Sequence, residues 1–215
     1  MSLNTVLSIS LIPSKARAYQ GLVLQIAERA REKRDAFQWR THQTAMGDPG
    51  RIHFTSEVAD FAALAKRDLT PELLVRRLFG EKEAMKLLDE LAACSTATRS
   101  VIGRDRPDLS YPPSQRDAPM HVVTVLRAKP GFQDAAEELI RKISEAIPKV
   151  DDPARMVTYQ SVVGDLRTYW TVRPIQSLAD LDAQLQPMDL LTKAFGAGEG
   201  GLIGRSGLEA LESAE

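Results

Sequence analysis

Apolar and polar positions alternate along the chain, then recur by threes and fours, then alternate again. Thr5–Ile12 is rich in leucine and β-branched residues and alternates imperfectly, which predicts a strand. Pro13 ends it and Ser14 is placed to cap the next helix. Tyr19, Leu22, Val23, Ile26, Ala27 and Ala30 then form the stripe of an amphipathic helix. Trp39–Met46 and Arg51–Ser56 predict a hairpin around Gly47-Asp48-Pro49-Gly50. Val58–Lys66 predicts a short helix, and Thr70-Pro71-Glu72 starts another that ends near Phe79-Gly80. Glu81–Ala93 comes next with Ala84, Leu87, Leu88 and Leu91 on one face, and Thr98–Arg104 reads as a fourth strand.

The pattern then starts over. His121–Leu126 predicts a strand, Lys129-Pro130-Gly131 a turn, and Phe132–Ile147 a helix with Leu139, Ile140, Ile143 and Ile147 on one stripe. A second hairpin centres on Gly164-Asp165, and helices are expected over Pro187–Phe195 and Leu202–Leu211. The hairpins share residues as well as pattern: RTHQTAMGDPGRIHFT in the first, VTYQSVVGDLRTYWT in the second. Thr41 aligns with Thr158 and Gly47 with Gly164, 117 positions apart. Arg51 aligns with Arg167, His53 with Tyr169 and Thr55 with Thr171, 116 apart, as if the first turn held one extra residue. The Pro71…Phe79-Gly80 run repeats as Pro187…Phe195-Gly196, again 116 apart. A register kept over so long a stretch indicates duplication.

The expected organisation is a first repeat over 1–112, a linker over 113–119 and a second repeat over 120–215. The stretch Pro107–Pro119, with four prolines in thirteen residues, can continue neither a helix nor a central strand. Nothing after the last predicted helix reads as a strand, so the second repeat is expected to lack its final one. The exposed edge would then need covering, and a homodimer is one way to do it. The Gly196–Gly201 run lacks the lysine and Ser/Thr of a phosphate loop and reads as a flexible helix junction.

Each repeat has the order of a ferredoxin-like unit: an antiparallel sheet with helices on one face. The fold class is therefore α+β, two such units with the sheets facing each other. HVVTVLRAKPGFQDAAEELIRKI followed by MVTYQSVVGDLRTYWTV resembles the dimeric α/β-barrel superfamily, whose members include antibiotic-biosynthesis-type monooxygenases, haem-degrading monooxygenases and stress-responsive barrel proteins. Two copies in one chain would make a pseudo-dimeric α/β barrel.

Composition changes little. Hydrophobic residues make up 43% and charged residues 27%, with a net charge of −1, so no global field draws the chain to nucleic acid or an anionic membrane. The basic-looking ERAREKRD stretch is interleaved with acids and reads as a solvated helix face. The single cysteine, Cys94, sits among Leu91, Ala92 and Ala93 and reads as a buried helix residue. Its isolation and the absence of a basic signal segment lead to a cytoplasmic expectation.

Candidate chemistry lies on the hairpin strands. His53, flanked by Ile52 and Phe54, is the leading histidine for proton transfer or for haem ligation. His42, His53 and His121 show no local metal-ligand spacing, so no metal is expected. Trp39 and Trp170 could wall a cavity for a flat molecule. His42, Tyr159, Gln43 and Gln160 are the further ligand-binding candidates. The resemblance implies a small apolar or aromatic ligand in a barrel cavity and a cofactor-independent monooxygenase, with His53 or Tyr169 moving protons. Haem binding or degradation and a non-enzymatic stress or assembly role are the alternatives.

Overall fold

A computed structural model describes residues 2–65, 71–112 and 118–215. The expected cap at Thr70 and most of the expected linker lie outside the described residues. The chain divides into two compact units, Met1–Gly103 and Arg104–Glu215. Residues 104–112, expected in the first repeat, belong instead to the second unit. The cause is visible in their bonds: the Arg106 amide donates to the Thr158 carbonyl, and Thr158 Oγ1 donates to the Leu109 carbonyl at 2.7 Å.

The first unit runs β1 (Leu3–Leu11), α1 (Ala16–Glu32), β2 (Arg40–Gln43), β3 (Arg51–Val58), α2 (Phe61–Ala65), α3 (Pro71–Phe79), α4 (Glu81–Ala92) and β4 (Ser95–Asp105), whose last two residues pass into the second unit. The second runs β5 (Met120–Ala128), α5 (Gln133–Lys149), β6 (Val157–Val163), β7 (Thr168–Ile175), α6 (Asp180–Ala183), α7 (Pro187–Phe195), α8 (Ala197–Glu209) and β8 (Leu211–Ala214). The two orders are the same, element for element. Strands lie side by side as β2-β3-β1-β4 in one unit and β6-β7-β5-β8 in the other. This is the ferredoxin-like arrangement, written twice.

Two expectations need correction. The second unit does have its fourth strand: β8 pairs antiparallel with β5, Leu126 opposite Ala214 and Arg127 opposite Ser213. Four residues at a chain end are too few for alternation to announce a strand, and the pairing supplies what the pattern lacks. The glycine run is likewise not a loose junction. Only Gly196 lies outside α8, with φ 85°. The other glycines of the run are helical, and at Gly200 and Gly207 α8 packs tightly on its neighbours. A Cβ at Gly200 would stand 2.4 Å from the Leu191 carbonyl oxygen, and one at Gly207 2.6 Å from Leu139 Cβ.

Strand register revises the alignment of the repeats. Thr41 sits opposite Phe54 and His42 opposite His53, whereas Thr158 sits opposite Thr171 and Tyr159 opposite Trp170. Leu7 sits opposite Phe54 and Thr124 opposite Thr171. All these pairs agree on one step of 117 residues through β1, β2 and β3. The counterpart of His53 is therefore Trp170, and that of Tyr169 is Ile52. Since successive side chains alternate faces, a slip of one residue exchanges the two sides. The extra residue of the first repeat lies after β3, between Val58 and Pro71.

Each unit buries one sheet face under its helices. In the first, Ile9, Leu11 and Ile52 join Tyr19 of α1 and Cys94, which is buried as expected but lies in the turn after α4 rather than in a helix. In the second, Leu126, Ala128 and Tyr169 join Ala136, Leu139 and Ile140 of α5 and Leu191 of α7. Each fully buried Leu or Ile contributes about 1.5–3 kcal/mol. Among the described residues no helix is long and apolar enough to cross a membrane.

Candidate functional site

Alternation sorts the candidate residues onto opposite faces. His42, His53, Tyr159 and Trp170 leave their sheets on the side away from the helices. Gln43, Gln160 and Tyr169 leave on the helix side. Trp39 precedes β2 and packs in the helical cluster of the first unit, its ring 5.8 Å from that of Phe37. His53 and Tyr169 thus occupy different faces of their respective units.

The uncovered face of the first unit carries a polar row. His53 Nδ1 shares a hydrogen bond with Ser8 Oγ at 2.8 Å, and its Nε2 shares one with Thr44 Oγ1 at 3.2 Å. His42 Nε2 meets Thr55 Oγ1 at 3.3 Å. Burial, assisted by the Arg51 charge, lowers the His53 pKa from its ordinary 6.5, against a smaller opposing pull from Asp48. The shift favours the neutral ring, and each nitrogen faces a hydroxyl that can give or take a proton. Such a ring suits proton transfer. Axial haem ligation is not favoured, because a hydroxyl already stands at each ring nitrogen. The same row in the second unit is aromatic and apolar: Tyr159 opposite Trp170, Trp170 opposite Val125, and Val172 opposite Val123. Trp170 is half-buried and Val123 is exposed.

The helix side of the second unit holds a network that the sequence did not announce. The Arg106 guanidinium donates to both carboxylate oxygens of Glu137, each at 2.7 Å, and to both of Asp108. Tyr169 donates its hydroxyl to Glu137 Oε1 at 2.8 Å and accepts from Gln160 Nε2 at 3.1 Å. Gln160 Oε1 in turn accepts from Arg104 and Arg106. Arg106 holds the Glu137 carboxyl below its ordinary pKa, and the Tyr169 bond adds to that effect. Burial first, and then Glu137, keep the Tyr169 phenol protonated far above neutral pH. Every member is committed to another, so the network holds residues 104–109 against α5 and leaves Tyr169 little freedom as an acid or base. In the first unit Gln20 and Gln43 occupy the places of Glu137 and Gln160 and bond to each other at 3.1 Å. Sequence separation hides this network: Arg106, Glu137 and Tyr169 meet only through the fold.

No group of three or more His, Cys, Asp or Glu able to hold a metal occurs among the described residues. An open depression of about 540 Å³ in the first unit is lined by Phe79, Gly80, Glu81, Lys82, Glu83 and Lys86, and by none of the candidate residues.

No protein-family model and no curated protein sequence matches the chain. Solved structures do match. A provisionally named monooxygenase from Lactobacillus acidophilus superimposes with a TM-score of 0.56 at 6% identity, covering 100% of this chain and 90% of its own. An anthrone oxidase-like protein gives 0.56 at 14% identity, covering 99% and 87%. A chlorite dismutase from Candidatus Nitrospira defluvii, solved with imidazole, gives 0.54 at 8% identity, covering 99% and 87%. At 6–14% identity these likenesses concern the fold alone, which in this chain is two ferredoxin-like units in tandem.

Proposed function

We propose that the protein binds a small, flat aromatic molecule on the sheet faces away from its helices, and that it acts on such a molecule as a cofactor-independent monooxygenase. The observation that carries the binding reading is the cross-strand pair Tyr159–Trp170 with Val125 beside it on the uncovered face. Half-exposed rings flanked by valine are costly to leave in water, and they offer a stacking surface to a flat ligand. Proton abstraction from a molecule bound on the first unit's own sheet face is assigned to His53, which is bonded to the Ser8 and Thr44 hydroxyls and whose pKa burial lowers. The substrate class is an anthrone-like methylene or a quinol, acidic enough for a histidine to deprotonate. For a methylene, one dioxygen molecule is consumed. Both carbon–hydrogen bonds break, a carbonyl forms with one oxygen atom, and the other oxygen leaves as water with the two hydrogens. The substrate supplies the electrons. The names carried by the monooxygenase and anthrone oxidase-like neighbours support this choice at the level of the fold.

Titration of a Trp39→Phe variant, in which Trp170 is the only remaining tryptophan, should show saturable quenching by anthrone-like compounds. Oxygen uptake with an anthrone and quinol panel should be measurable in the wild type and lost in His53→Ala. No uptake across the panel would leave binding without catalysis; no quenching would remove the binding reading as well. Cytoplasmic location and a homodimer remain part of this proposal, and the solution mass from light scattering tests the latter.

A further inference from the structure

Arg173 follows Tyr169 and Thr171 at two-residue steps along β7, so it leaves the sheet on the helix side. Its guanidinium has five N–H donors, yet among the described residues it makes a single hydrogen bond, from Nη1 to Oε1 of the buried Gln184, at 3.3 Å. No carboxylate among the described residues pairs with it. The negative charge that acts on it is Asp152. The carboxylate oxygens of Asp152 are committed elsewhere, accepting from the Ala154 and Leu185 amides at 2.8 Å each. Burial is the larger influence and lowers the Arg173 pKa. Arg173 is only partly buried, so the side chain keeps some contact with solvent.

The fold itself does not call for a cation here. The counterpart of Arg173 in the first unit, by the 117-residue step, is Ser56, whose hydroxyl is paired with that of Thr5 at 2.7 Å. Bringing a guanidinium partly out of water is unfavourable unless an anion meets it. A long bond to a neutral amide does not offset that cost. A planar carboxylate matches the guanidinium fork and would be held by two parallel bonds. The Gln184 amide nitrogen stands next to it as a further donor.

We propose that Arg173 and Gln184 form a binding site for a small oxyanion, a carboxylate, between β7 and the α6–α7 connection of the second unit. It lies on the opposite face of β7 from Trp170 and is separate from the aromatic row.

The test is the thermal midpoint of the full chain titrated with acetate or benzoate, with phosphate as a second arm and chloride at matched ionic strength as the control. The wild type should show a saturable rise with carboxylates, and Arg173→Gln should weaken it by about tenfold or more. Gln184→Ala should weaken it less. In anion-poor buffer Arg173→Gln should melt no lower than the wild type, since it removes an uncompensated charge. A lower midpoint there would make Arg173 a structural group and overturn the site. An equal response of wild type and Arg173→Gln, or no saturable response at all, would overturn it too. Saturation by phosphate alone would overturn the carboxylate assignment.

Discussion

At the scale of single residues, the histidine and the network make opposite kinds of prediction. His53 titrates below its ordinary 6.5, because burial disfavours the charged ring. Its contribution to stability is therefore present above the unfolded value and is lost as pH falls through the folded one. A proton NMR titration should place its midpoint under 6.5 and well clear of that of an exposed histidine. Glu137 follows the same sign at lower pH. Its pKa is depressed from 4.5 by Arg106, so its stabilisation is full above 4.5 and disappears as acid takes the pH through the lowered value. Glu137→Ala should cost about 3 kcal/mol at pH 7, since it leaves Arg106 paired with Asp108 alone, and that cost should shrink on acidification. Tyr169→Phe removes one donor and one acceptor from a fully buried position and should cost about 1–2 kcal/mol in urea denaturation, with no change in the His53 midpoint.

At the scale of elements, α8 is where composition and structure part most. A helix carrying glycines at 198, 200, 201, 204 and 207 has poor intrinsic propensity, about 1 kcal/mol per glycine relative to alanine. It forms because contact with α7 and α5 replaces what propensity lacks. The glycines are not equivalent. A Cβ at Gly200 would meet the α7 backbone at 2.4 Å, whereas Gly198 has nothing within 4 Å. Gly200→Ala should therefore cost about 1–3 kcal/mol by overpacking. Gly198→Ala should gain about 0.5–1 kcal/mol by restricting the unfolded chain. Chemical denaturation of the two variants side by side separates the packing role of a glycine from its conformational one. The hairpins teach a related point. Turn chemistry at Gly47 and Gly164, with φ 96° and 94°, is legible in the residues. The resemblance of RIHFT to RTYWT points to a pairing one residue off, because local similarity carries no information about which residue stands across the ladder.

At the scale of the whole chain, β8 closes the second unit. Glu215 and Val125 exchange backbone hydrogen bonds at 2.7 and 3.0 Å, and β8 covers the edge of β5. Removing residues 211–215 should expose that edge and produce concentration-dependent association, seen as a rising mass in light scattering. A truncated chain that keeps the mass and midpoint of the full one would mean that β8 adds nothing.

Duplication, the order of elements apart from β8, the hairpin turns and most amphipathic stripes were legible in the sequence. They rest on short-range periodicity and on residues whose preferences act within a few positions. The partner of each strand residue was not legible, and on it depend the faces of His53 and Tyr169, the Arg106–Glu137–Tyr169 network and the half-buried Tyr159–Trp170 pair. Those features depend on hydrogen bonds between segments far apart in the chain, where a shift of one residue exchanges the inside for the outside. Only folding chooses among such registers, because the choice turns on which side the helices bury.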